Sequence, residues 1–92
     1  MKAFEVLLSE TARRQLKDLP EAVQQRIKEA LGELREDPFR PRPKADIKRL
    51  KGPDRDYYRQ RIGDFRAIYV VEGQRVLVVK IMPRSKAYRW LE

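Results

Sequence analysis

Apolar and polar residues alternate along some stretches of the chain, and in between the apolar residues recur at every third or fourth position. Lys2 to Leu8 predicts a first strand. Ser9 then stands where a helix cap belongs, ahead of Ala12, Leu16 and Leu19, which fall on one helical stripe. Pro20 fits the first turn of a second helix, in which Val23, Ile27, Ala30, Leu31 and Leu34 keep helical spacing up to Glu36. The two helices are expected to pair as a hairpin. Gly32 inside the second one costs about 1 kcal/mol relative to alanine, and is either a site of close helix packing or a tolerated defect.

Between Asp37 and Asp46 the prolines Pro38, Pro41 and Pro43 alternate with Arg40, Arg42 and Lys44, the pattern of an extended basic connector. Ile47 to Leu50 is a short strand ended by the turn cluster Gly52 to Asp56. Tyr57 to Ile62 and Phe65 to Val71 alternate on either side of Gly63-Asp64, which predicts a hairpin with a two-residue loop. A second turn at Glu72-Gly73-Gln74 leads into Val76 to Met82, and Pro83, without an amide proton for the ladder, must stop that strand. Arg84 to Trp90 leaves room for one or two helical turns. The order β-α-α-β-β-β-β with a short C-terminal helix predicts an α+β fold, an antiparallel curved sheet of four to five strands covered on one face by the helix hairpin.

A chain of 92 residues has room for one modest core, so residues 1–92 are read as a single domain. Leu91-Glu92 is either a native end or a cloning scar. No apolar run is long enough for a membrane span, and the opening residues are too short and too acidic for a signal-peptide core, so the expected location is the cytoplasm, with no membrane partner. The absence of cysteine and histidine excludes disulfides, thiol chemistry and an imidazole base. There is no glycine-rich phosphate loop, no Ser/His arrangement and no carboxylate cluster with metal-ligand spacing, so neither a cofactor nor a metal is expected. The net charge of +8, from 22 Lys+Arg against 14 Asp+Glu, suggests a polyanionic partner.

The hairpin gives that charge a place. With Gly63-Asp64 as the loop, Arg61 faces Arg66 across the strand pair and Arg59 shares their face. Directly opposed like charges destabilise a strand pair, which makes sense if a phosphate or an acidic group sits between them. The alternative is that the long arginine stems splay into water over apolar neighbours such as Ile68.

The segment Tyr58-Arg59-Gln60-Arg61-Ile62-Gly63-Asp64-Phe65-Arg66-Ala67-Ile68-Tyr69 resembles the central signature of the RelE/ParE toxin superfamily. Lys48-Arg49-Leu50-Lys51-Gly52 upstream and Pro83-Arg84-Ser85-Lys86-Ala87-Tyr88 downstream are similar to the family's flanking segments, and the resemblance covers nearly the whole chain. It implies the toxin of a type II toxin-antitoxin system that cleaves mRNA on the ribosome, held silent by an acidic antitoxin. It also implies attack by a ribose 2′-hydroxyl on the adjacent phosphate, with Arg59, Arg61, Arg66, Arg84 and Tyr88 as catalytic residues. Lys44, Lys48, Arg49, Lys51, Lys80 and Lys86 are the candidate RNA contacts. The best-known bacterial members have lysines where this chain has Arg59 and Arg61, and a guanidinium does not give up its proton near neutrality. Proton transfer would then fall to Tyr88, Lys80 or Lys86. Two other readings use the same scaffold: a ParE-like inhibitor of DNA gyrase, and a catalytically inert RNA-binding relative.

Overall fold

The computed structural model describes residues 3–90, with side chains through Ala87. The elements are β1 (Glu5–Leu8), α1 (Glu10–Lys17), α2 (Glu21–Gly32), a 3-10 turn (Glu33–Arg35), β2 (Asp46–Lys51), β3 (Asp56–Ile62), β4 (Phe65–Glu72), β5 (Arg75–Pro83) and α3 (Arg84–Trp90). The strands form one sheet in the order β1-β5-β4-β3-β2. The expected α+β architecture is thus present, with one pairing different: β1 runs parallel to β5, so the sheet is mixed, while the other pairs are antiparallel. Alternation identifies a strand but not its neighbour. Here β1 is brought beside the last strand by a crossover through both helices and the meander, as a parallel pair requires.

Local signals set most element ends. The Ser9 hydroxyl accepts the Ala12 amide at 3.0 Å and so caps α1, which ends at Lys17 and leaves Leu19 beyond it. Pro20 is the N-cap of α2 and not part of its first turn, and the helix tightens into the 3-10 turn after Gly32. A Cβ on Gly32 would meet no atom within 4 Å, so this glycine serves no close helix packing. Gly63 and Gly73 take φ of +59° and +61° in the two hairpin loops, a region that L-residues avoid. With Gly63 first in its two-residue loop, this matches a type II′ turn.

The side chains of Ala12, Leu16, Ile27, Leu31 and Leu34 pack on Ala67, Tyr69, Val76, Val78 and Ile81, which defines the helix face of the sheet. Burial of each large apolar side chain there stabilises the fold by roughly 1.5–3 kcal/mol. Tyr69 is fully buried and its hydroxyl donates to the Pro38 carbonyl at 2.6 Å. The connector is therefore less extended than its prolines suggest. Pro38 is buried, Asp37 accepts the amides of Phe39 and Arg40, and Arg42 donates to the carbonyls of Asp37, Arg40 and Glu33.

Across the sheet, Ile68, Met82 and Ala87 form a smaller cluster that seats α3 on the opposite, open face. One irregularity decides what else stands on that face. Ile68 pairs with Lys80 but Tyr69 pairs with Val78, so Val79 is an extra residue, a β-bulge. Val76, Val78 and Ile81 consequently share the helix face, and Lys80 and Met82 face the other way. Among the described residues no helix is long and apolar enough to cross a membrane.

Candidate nucleic-acid interface

Strand register places the open-face side chains in rows. One row runs Lys80, Ile68, Arg59, Lys48 across β5, β4, β3 and β2, and the next runs Met82, Arg66, Arg61, Asp46. Arg59, Arg61, Lys48 and Lys80 therefore share one face, as period-two alternation about Gly63-Asp64 requires for the first two. Arg84 begins α3 at the rim, its amide held by the Asp64 carbonyl at 2.9 Å, and Lys86 is exposed on the same helix. Tyr88 also lies on α3, its side chain outside the described residues.

The other predicted contacts are not gathered here. Arg49 and Lys51 alternate to the opposite face of β2, where Arg49 forms an ion pair with Asp56. Lys44 is exposed on the connector beside Glu33, Glu36, Arg40 and Arg42.

The three arginines have different environments. Arg61 is exposed. Arg66 is only 5% exposed, and its Nη1 donates to the carbonyls of Gly63 and Phe65, both at 2.9 Å. It locks the loop from beneath. Arg59 is intermediate: its Nη2 donates to Asp46 Oδ1 at 3.3 Å, and its Nε is buried with no acceptor among the described residues. An orphaned buried donor is uncommon in folded proteins.

These contacts change the account of the opposed Arg61 and Arg66. Asp46 stands across from Arg61 on β2, so the arginine cluster already holds a carboxylate, and the loop carbonyls take Arg66. The repulsion is relieved within the protein before any phosphate arrives. Sequence reasoning left Asp46 at the end of the connector. Counting register outward from Gly63-Asp64 and on to β2 would have found it, but the β2-β3 pairing that fixes that register is not visible in composition or alternation.

On the helix face, beside the free edge of β1, lies a groove of about 300 Å³ lined by Val6, Leu8, Leu16 and Leu31, with Lys28 and Arg35 at its rim. No carboxylate pairs with Lys28 or Arg35 among the described residues.

Chains of this fold occur in small toxins solved with their antitoxins. The archaeal RelE-RelB complex from Pyrococcus horikoshii OT3 contains a chain that aligns with a TM-score of 0.77 at 32% identity, covering 91% of this chain and 98% of that one. The toxin-antitoxin complex RelBE2 of Mycobacterium tuberculosis aligns with a TM-score of 0.75 at 25% identity, covering 89% and 99%. RelE1 of Methanocaldococcus jannaschii is 41% identical over 88 residues, 94% of this chain and 96% of that protein. The ParE toxin family of type II toxin-antitoxin systems, parDE, matches residues 6–88. The chain belongs to that family, within the RelE/ParE superfamily, and is the toxin type of such a system.

Proposed function

We propose that the protein is an endoribonuclease that cuts mRNA on the ribosome, in the cytoplasm, without a metal or cofactor. The observation that supports this reading is the juxtaposition of one accessible carboxylate, Asp46, with the guanidinium groups of Arg59 and Arg61 on a rigid sheet face. RNA brings its own nucleophile. Asp46 takes the proton of the ribose 2′-hydroxyl, the O2′–P bond forms and the P–O5′ bond breaks, leaving a cyclic phosphate. The departing 5′-oxygen receives a proton from an ammonium group of this face, for which Lys80 stands in the adjacent row. Arg61 and Arg84 meet the charge that grows on the phosphate oxygens, and their donors are preorganised by β3 and by the start of α3. Arg66 acts from below, by holding the loop that follows Arg61 and whose Asp64 carbonyl takes the Arg84 amide. Tyr88 is kept as a group for stacking on a base or for proton transfer. Lys48 and Lys86 extend the face toward flanking phosphates, through contacts that salt weakens.

Its partner is an acidic, amphipathic antitoxin segment of the RelB kind, for which the Val6–Leu31 groove with its Lys28 and Arg35 rim offers apolar anchorage and positive charge beside a free strand edge. Tight binding of a co-encoded acidic chain that weakens in Lys28→Glu supports this; binding indifferent to that change and to salt removes it.

The test of the nuclease is cell-free translation of a defined message with purified protein, cleavage being mapped by primer extension. Ribosome-dependent cuts are expected, and they vanish when Arg61 and Arg84 are both changed to alanine. The family match itself favours examining one other reading, inhibition of DNA gyrase, because the matching family is that of ParE. Undisturbed translation together with lost supercoiling would establish the inhibitor. Ribosome binding with neither effect would mark an inert relative.

A further inference from the structure

The polar side chains of α1 have a task that helix formation does not explain. β1 accompanies β5 only as far as Val78, with Leu8 opposite it. Beyond that point the β1-side backbone groups of β5 lose their strand partner at the place where the bulge sits. Three groups take over. The Ser9 amide donates to the Val78 carbonyl at 2.9 Å, the Ser9 hydroxyl donates to the Val79 carbonyl at 2.9 Å, and Gln15 Oε1 accepts the Ile81 amide at 2.7 Å. Lys80 lies between the last two. Backbone groups left unpaired in a partly buried strand are costly, so these bonds favour the bulged path over a regular one. In a regular strand Lys80 would share the side of Val76 and Val78, which is the helix-face core.

We infer that Ser9 and Gln15 are positioning residues: they hold the β5 bulge that turns Lys80 onto the face of Arg59 and Arg61. The role of Lys80 in RNA cleavage rests on the function proposed above, but its position does not. Lys80 is two strands from Arg59, roughly 10 Å at the usual strand spacing, within the span of a lysine and an arginine side chain that engage neighbouring phosphates. A helix on the far side of the sheet thus sets the aim of a cation on the near side.

Gln15 is the cleaner residue to test, because Ser9 also caps α1. Full-length wild type, Gln15→Leu, Gln15→Glu, Lys80→Ala and the Gln15→Leu/Lys80→Ala double variant are compared in two assays. The first is acetylation of lysines by an N-hydroxysuccinimide ester, read site by site by mass spectrometry, with Lys48 as control on the same face. The second is single-turnover cleavage of a defined message on ribosomes. In Gln15→Leu, Lys80 acetylation falls severalfold while Lys48 is unchanged, and cleavage drops about a hundredfold, the scale of a displaced catalytic group. Gln15→Glu keeps an acceptor for Ile81 and restores both. In the Lys80→Ala background Gln15→Leu adds nothing further, since its effect passes through Lys80. Wild-type Lys80 reactivity in Gln15→Leu overturns the inference, and so does an undiminished Gln15→Leu loss in the double variant, the mark of a general folding defect. If wild type fails to cut RNA while Lys80 reactivity still follows Gln15, the nuclease reading falls and the positioning stands.

Discussion

Replacing Asp46 with asparagine separates two roles that the geometry gives its carboxylate. As the group that accepts the 2′-hydroxyl proton, Asp46 would be lost chemically with almost no change of shape, and general-base removal costs about 10²- to 10⁴-fold in rate, or roughly 3–5 kcal/mol of barrier. As a mere counter-ion, it competes with phosphate for Arg59 Nη2, which it meets at 3.3 Å. Its removal would then add one positive charge to the net +8 and raise RNA affinity and cutting together. Stability does not confuse the outcome. The Asp46 side chain is 55% exposed, and exposed pairs contribute about 0.2–1 kcal/mol. The assay is single-turnover cleavage of a defined message on ribosomes over a range of protein concentrations, with the melting temperature measured in parallel. The expected result is a maximal rate at least a hundredfold lower, with half-saturation unchanged or at lower concentration and melting nearly unchanged. A maximal rate equal to or above wild type refutes the assignment of the proton to Asp46.

Further predictions concern the framework of that face. Tyr69→Phe leaves the buried Pro38 carbonyl without its donor and should destabilise the fold by about 1–3 kcal/mol in urea unfolding. Burial raises the Tyr69 phenol well above its ordinary value of 10.0, so the stability this residue contributes is complete below pH 10 and declines above it; a wild-type alkaline unfolding limb identical to that of Tyr69→Phe would contradict this. The amide of Phe39, assisted by Arg40, holds the Asp37 carboxyl below its usual 3.8, so its contribution is present above that pH and lost as pH falls through the lower folded value. Asp37→Ala should therefore flatten the fall of melting temperature below about pH 4. Gly63→Ala forces a Cβ into positive φ and to 3.2 Å from the Arg26 guanidinium, and should destabilise by at least about 1 kcal/mol and depress cleavage through the displaced loop; an unperturbed melt would show that the turn relaxes freely.

Near neighbours in the chain decided much of this molecule, and those parts were legible in the sequence. The Ser9 cap, the helical stripes, the Gly63-Asp64 hairpin and the stop at Pro83 depend on contacts a few residues apart, so residue type and spacing determined them. The hairpin alone already set Arg59 and Arg61 on one face and opposed Arg61 to Arg66. The resemblance of Tyr58 to Tyr69 to one toxin superfamily belongs to the same class of information. Only the tertiary structure decided the parallel pairing of β1 with β5, because that contact joins the two ends of the chain. It also decided the entry of Asp46 into the arginine cluster, the burial of Arg66 beneath its loop, and the bulge that gives Lys80 its direction. Each of these depends on which backbone groups find partners far away in sequence. Val76 to Met82 reads as one unbroken strand until the Ser9 hydroxyl and Gln15, from a helix more than sixty residues upstream, take the bonds that make it skip a residue.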